Sequence, residues 1–387
     1  MQQPQTVASI LDYFMEHSDA LVAELREFVE RETPSRDAAS IEDFIRDYSS
    51  RLEAAGLSCR QFPGPWGPQL LAELPGEEPP VVLVGHSDTV WPAGAVRERP
   101  LQVADGRLYG PGVYDMKAGL SIVLGVVRFL QENPVSLRRK LQVFIAADEE
   151  SGGDTAHPCM DEVLAPGSTA FVVEPPCPDG AVKVQRKGVG IYELKITGRE
   201  AHAGVEPERG ISAVDELARL VLEIHGWNEP ARGIQLNVGT VAGGTAGNVV
   251  AGSAVAGVDL RFDNPAEGEE LDQRLRALEP RNPGAAIEVS GGLCFPPLVP
   301  TAETMRLGER ACQVAAELGL EISRGSSGGG SDGSYLSSKG LFVLDGMGVE
   351  GGGAHAVDEH ILLESLPVRA ALLAGMVLAV DGEDSPC

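Results

Sequence analysis

A chain of 387 residues exceeds the roughly 250–300 at which a single hydrophobic core stops growing, so two domains are expected. Hydrophobic residues at 43% and charged residues at 23% exclude a disordered chain. A net charge of −26, with no run rich in Lys or Arg, excludes a nucleic-acid partner, whose phosphates would be repelled.

No apolar run reaches 18 residues, so neither a spanning helix nor a membrane partner is expected. The opening MQQPQTVASILDYFMEHSDA has neither the basic nor the long apolar region of a signal peptide. The six cysteines (Cys59, Cys159, Cys177, Cys294, Cys312 and Cys387) are scattered without C-x-x-C pairs, which fits a reducing, cytoplasmic location.

Helical periodicity covers residues 19–31 and 40–55, the second stretch ending at Gly56, a common capping position. PPVVLVGHSDTV reads as a strand, LSIVLGVVRFLQEN as a helix, and LQVFIAADEE and AFVVEP as two further strands. Strands apolar on both faces and alternating with helices are what a buried parallel sheet requires, so the class is α/β. From about Val184 the style changes. VGIYELKITG, IQLNVGTVAGG and SAVAGVDLRF alternate with period two around a helix at 211–225, as an antiparallel sheet covered on one face would. A helix at 303–318, the Gly-rich SSGGGSDGS, the strand LFVLDGMG and a helix at 361–380 resume the first style. The expected architecture is a discontinuous domain, residues 1–183 and 297–387, holding a mostly parallel sheet flanked by helices. Residues 184–296 form an inserted α+β unit.

The acidic residues gather at strand ends. His86 and Asp88 follow VVLV, Glu149 and Glu150 follow VFIAA, and Glu174 follows FVV; open parallel sheets bind ligands beyond these carboxyl ends. Carboxylates buried together cost several kcal/mol each unless something positive compensates. The three segments contain no Arg or Lys, so a divalent metal is the economical answer. In H-S-D, residues two apart face the same way, which lets Asp88 accept the N–H of His86 and fix the nitrogen that faces a metal. An isolated H-x-D would more often be a self-satisfied pair. Asp115, in YGPGVYDMKAG, reads alone as a helix N-cap; near His86 its two oxygens suit a bridge between two metals.

Together GHSDTV, GPGVYDMKAG, DEESGG, VVEP, REAHAG and GGGAHAVDE closely resemble the M20 family of di-zinc metallopeptidases, in order over nearly the whole chain, and above all its glutamate carboxypeptidase branch. The resemblance implies two Zn²⁺ ions per chain, with Mn²⁺ or Co²⁺ as substitutes. His86 and Glu174 would hold one ion and Glu150 and His355 the other, with Asp115 bridging. It implies Glu149 as general base, Asp88 as the residue orienting His86, and a cis peptide at Asp115–Met116. The inserted unit becomes a lid through which a homodimer forms. His202 is implied as an oxyanion donor in the partner subunit's site, Asn248 and Arg261 as holders of the substrate's terminal carboxylate, and the loop with Gly330, Ser331 and Asp332 as pocket wall. Two departures stand out: Val249, Val250, Ala251 and Gly252 replace the usual proline after Asn248, and GGLCFPP, with Leu293 and Cys294, lacks an arginine of the folate-cleaving relatives. SSGGGSDGS lacks the G-K-[ST] of a phosphate loop, which argues against nucleotide binding.

The implied activity is hydrolysis of the amide bond to a C-terminal amino acid, glutamate first among them, in a small peptide or N-acyl amino acid with a free carboxylate. An aminoacylase-type amidohydrolase is the alternative. A non-catalytic small-molecule binding protein on the same fold is disfavoured, because all seven core positions, His86, Asp88, Asp115, Glu149, Glu150, Glu174 and His355, are present. Glu174, where aminopeptidase branches carry Asp, tilts the reading towards a carboxypeptidase.

Overall fold

Val81, Val82, Leu83 and Val84 leave no polar side chain on either face of the middle of the strand Glu77–His86, so this stretch can lie only where both faces are covered. In the computed structural model, which describes residues 7–133 and 137–382, this strand is central to a six-stranded sheet. The order is Ser58–Phe62, Gln69–Leu74, Arg139–Ala146, Glu77–His86, Thr169–Val172 and Phe342–Leu344. The last four strands are mutually parallel; the first two pair antiparallel and make the sheet mixed.

Two helices close over this core. Ala118–Glu132 is buried along nearly its whole length, and Ser365–Asp381 is, Arg369 apart, apolar on nearly every side, as a helix enclosed by other elements must be. The expected helix 361–380 starts too early. His360–Leu362 is a short strand that pairs with Arg107–Tyr109, and the helix begins only at Ser365. The apolar run ILL at 361–363 fits either element, and a strand partner 250 residues earlier is invisible to local periodicity.

The chain divides into two compact units. One holds Met1–Gln185, Pro300–Ser327 and Ser331–Cys387; the other holds Arg186–Val299 with Gly328–Gly330. The three glycines depart from the expected boundary for a local reason. Arg186 donates to the carbonyls of Gly329 and Gly330, and Arg261 to that of Gly328, which binds them to the second unit. That unit is an antiparallel sheet in the order Gln235–Gly243, Ser253–Phe262, Gly188–Thr197 and Ala286–Phe295. Its alternating residues Tyr192, Leu194, Ile196, Val258 and Leu260 pack against Leu217 and Leu220 of the helix Ala213–His225. The helix Pro265–Arg276, capped by the Asn264 side chain with proline at its first position, and the strand Ala286–Phe295 were not among the expected elements.

Arg369 links the last helix to two loops. Its fully buried guanidinium donates to the carbonyls of Gly348 at 2.7 Å, Gly180 at 3.1 Å and Gly346, and burial lowers its pKa to about 10. Arg369→Met fills similar space but strands three carbonyls. It should cost about 3 kcal/mol or more at ~1 kcal/mol per orphaned group, read as a lowered urea midpoint with unchanged slope; an unchanged midpoint would refute the assignment.

Candidate metal centre

Because the three central strands run parallel with His86 opposite Ala146 and Val84 opposite Val172, their chain exits share one edge. His86 ends the middle strand. Glu149 and Glu150 leave one neighbour in a single 3-10 turn, and Glu174 lies two residues past the other. Asp148 does not face the others: its carboxylate accepts Thr155 N at 2.7 Å, Thr155 Oγ1 at 2.8 Å and Ala156 N at 3.1 Å, holding the turn.

His86 Nε2 is 3.3 Å from Asp115 Oδ1 and 3.3 Å from Glu174 Oε1. On the opposite side, His355 Nε2 is 3.5 Å from Asp115 Oδ2 and 3.3 Å from Glu150 Oε2. Asp115 thus turns one oxygen towards each histidine. The potential ligand atoms of His86, Glu149 and Glu174 lie within 4.8 Å of one another, as do those of His86, Asp115 and Glu150. His86 Nε2, Asp115 Oδ1 and Glu150 Oε1 are buried without hydrogen-bond partners.

The electrostatics show the same deficit of positive charge. Burial pushes the Glu149 carboxyl well above the usual range and Glu150 to about 7. Burial would likewise raise Asp115, but His355 and His86 hold it well below the ordinary value. Burial alone would lower His86, yet Asp115, Asp88 and Glu174 outweigh it and raise it well above normal. Asp115 and Glu150 raise His355 to about 10. Protons here do what a divalent cation would do better. Unpartnered, convergent imidazole and carboxylate atoms fit two such ions, with a donor set suited to Zn²⁺ and compatible with Mn²⁺ or Co²⁺.

Local backbone geometry places these groups. Gly112 is left-handed at φ +71°, and a Cβ there would meet Thr89 Cγ2 at 2.7 Å, so the turn before Asp115 needs glycine. The Asp115–Met116 peptide is cis. His355 itself sits at φ +60°, an uncommon conformation for a residue with a side chain.

Two neighbours differ from expectation. Nδ1 of His86 lies 3.0 Å from the Asp88 backbone carbonyl and 3.5 Å from its carboxylate, so the main chain supplies the orienting acceptor. The Asp88 carboxylate instead accepts the Ser35 hydroxyl at 2.7 Å. With Nδ1 donating, Nε2 is left as the coordinating nitrogen. A lysine does reach this edge: Lys117, two residues after Asp115, donates to the Ser87 carbonyl at 3.1 Å and lies over the Phe44 ring. Burial drives its pKa well below normal, so it is poorly suited to neutralise the acids. Lys117 stands inside YDMKAG, outside the three strand-end segments that hold the acids; Ser35 carries no signal in its own neighbourhood.

Of the remaining candidates, His202, Asn248, Arg261 and Gly330 belong to the second unit, and Ser331 to the first. His202 pairs in a bridge with Val249, beside Asn248. Arg261 is already engaged: Nε and Nη2 donate to the two oxygens of Asp259, each at 2.8 Å. D-x-R on an alternating strand puts both on one face, a signal present in the sequence. The Ser331 hydroxyl is buried and committed, donating to Asp345 at 2.7 Å and accepting Gly333 N at 3.1 Å. Its single hydroxyl proton is therefore not free to be donated to a ligand.

A sequence profile described as Peptidase family M20/M25/M40 matches residues 82–379. Carboxypeptidase G2 of Pseudomonas sp. (strain RS-16) is 25% identical over 371 residues, covering 93% of this chain and 89% of that protein. Succinyl-diaminopimelate desuccinylase of Gluconacetobacter diazotrophicus is 29% identical over 331 residues, covering 79% and 83%. A tripeptidase structure from Staphylococcus aureus superposes with a TM-score of 0.79 at 23% identity, covering 95% of this chain and 99% of that one, which shows a shared fold.

In the metal-free protein burial pushes the Glu150 carboxyl up to about 7, and Asp115 and Glu150 raise His355 to about 10, so both groups are biased towards their protonated forms. A cation can bind only as those protons leave, so apparent affinity should rise with pH. Calorimetric Zn²⁺ titrations in buffers of different ionisation enthalpy should report release of about one proton or more per chain. Zero release would show that these groups do not take the ion.

Proposed function

The chain belongs to peptidase family M20/M25/M40 and is a hydrolase; from that premise we propose that it is a cytoplasmic di-zinc carboxypeptidase cleaving the amide bond to a C-terminal amino acid, with glutamate the first residue to test. The observation carrying this reading is Asp115, whose two oxygens face two separate histidine–carboxylate groups with Glu149 alongside. In this reading His86 and Glu174 hold one ion, His355 and Glu150 the other, and Asp115 both.

Two ions held there would supply Lewis-acid polarisation of the scissile carbonyl and of the attacking water. Glu149 would take the proton of the attacking water and deliver it to the leaving nitrogen, the two-way duty of a general base, and burial raises its pKa well above the ordinary carboxyl value. Asp88 holds His86 through its carbonyl, and the Ser35 hydroxyl fixes Asp88 in turn. His202 Nδ1 accepts the N–H groups of Gly204 and Val205, both at 3.1 Å. That fixes the neutral tautomer with the proton on Nε2, as a donor to developing oxyanion charge needs. Asn248 is exposed beside it and is proposed to take the substrate carboxylate. Arg261 would join it only after exchanging Asp259 for the substrate, and Gly330 would offer backbone alone.

A second reading, an N-acyl amino acid amidohydrolase, is favoured by one observation, the 29% identity to a succinyl-diaminopimelate desuccinylase. Both readings share the site and differ in the acyl group. For the compartment, the five described cysteines are all unpaired and no described helix is long and apolar enough to cross a membrane.

Dimerisation is proposed through the second unit. Its strand Gln235–Gly243 is an unpaired sheet edge, and Val241, Val214 and Leu222 are exposed on that edge and on the helix Ala213–His225. An apolar edge of this kind favours pairing with a second copy. Light scattering should give twice the 40.7 kDa chain mass, and Leu222→Glu with Val241→Lys should shift the protein to monomer; a monomeric wild type would refute the proposal.

Glu149→Gln should retain two metals by elemental analysis while kcat falls by about 10³-fold, within the range for loss of a general base. A mutant as active as wild type would remove Glu149 from the mechanism. Peptides ending in glutamate, tested beside N-acetyl, N-succinyl and N-aroyl amino acids, separate the two readings by kcat/KM. A strict need for a free amino terminus would sink both.

A further inference from the structure

Asp115 has to present its two oxygens in opposite directions, yet the backbone that carries it is irregular. Asp115 (φ −116°, ψ 94°) and Met116 (φ −136°, ψ 41°) are non-helical, so the N–H groups at this helix entrance find few main-chain acceptors. One side chain gathers them. Glu359, 2% exposed, accepts Tyr114 N at 2.9 Å and Asp115 N at 3.0 Å on Oε1. Its Oε2 accepts Gly112 N at 2.8 Å and the indole Nε1 of Trp91 at 2.6 Å.

Both oxygens of Glu359 are therefore doubly engaged, and neither is left for a cation. That separates Glu359 from the other acids of the neighbourhood, although it stands only four residues after His355 in AHAVDE. Its partners lie 244 to 268 residues away in sequence. One carboxylate thus joins the peptide of Asp115 to the segment that carries His355, and ties both to Trp91, three residues beyond Asp88.

We propose that Glu359 is a positioning residue for Asp115: it gathers the N–H groups of Gly112, Tyr114 and Asp115 and so sets where the shared carboxylate stands between its two cation sites. The inference rests on the reading of Asp115 as a ligand common to two ions. Charge-assisted acceptance by a buried carboxylate is stronger than a neutral hydrogen bond, and partners that orient metal ligands typically change affinity or activity by about 10–100-fold when removed. A glutamine cannot replace the acid, because its NH₂ group would face two donors where an oxygen now accepts both.

The test compares wild type, Glu359→Gln and Trp91→Phe. Zn²⁺ affinity is read by competition with a chromophoric chelator, Co²⁺ coordination by its visible spectrum, and melting temperature on the metal-free proteins. Glu359→Gln should bind Zn²⁺ about 10–100-fold more weakly, alter the Co²⁺ bands and lower kcat with little change in KM. Trp91→Phe, which keeps three of the four donors, should move the same readouts in the same direction by less. A Glu359→Gln protein that melts earlier but binds Zn²⁺ and turns over like wild type would overturn the proposal and leave Glu359 a fold staple. If Glu359→Gln does not fold, Trp91→Phe decides, and wild-type affinity and spectrum there would overturn it too. A wild type that binds a single ion or none would fail at the earlier step, the shared-ligand reading, and take this inference with it.

Discussion

Five carboxylates, Asp88, Asp115, Glu149, Glu150 and Glu174, stand around two imidazoles at one edge of a sheet whose interior is mostly apolar. Removing so much negative charge from water costs several kcal/mol per ion unless it is compensated. The protein supplies little compensation: Lys117 is directed to the Ser87 carbonyl and loses its charge readily through burial, and protons on the two histidines stand in for cations. Everything that holds this edge together works against that repulsion. The parallel register of the central strands, the enclosed helix Ser365–Asp381 and the buried fork of Arg369 are the apolar and hydrogen-bonded framework on which the strained cluster is mounted.

The cluster was legible because each acid follows a short apolar run at a strand end, and strand ends in a parallel sheet converge. His86, Glu149, Glu150 and Glu174 needed only that rule. Asp115 and His355 did not follow from it; both lie in glycine-rich turns, and Asp115 was read as a bridge from its nearness to His86, whereas His355 came only with the motif resemblance. The α/β class and the change of style near Val184 were equally readable, since periods of two and of continuous apolarity differ plainly along the sequence.

What stayed hidden was pairing over long sequence distances and competition between neighbours. His360–Leu362 became a strand because Arg107–Tyr109 offered it a partner. Ser35 meets Asp88 across 53 residues, and Glu359 meets Asp115 across 244. The Asp259 clamp on Arg261 was available from the two-residue spacing alone, but expecting a substrate carboxylate obscured the internal one. Motif reading assigns a side chain a ligand without asking whether the protein has already filled it, and Ser331, bound to Asp345, repeats that lesson.

The left-handed backbone of His355 also restricts how this centre can be altered. Apart from glycine, Asn, Asp and His enter that conformation several-fold more often than other residues. Of these, the two alternatives to histidine offer oxygen donors, whereas Cys and Glu are penalised by the main chain before any coordination begins. Selection or design at this position is therefore channelled along a single chemical direction, from the nitrogen donor that suits zinc towards the harder oxygen donors preferred by manganese or magnesium.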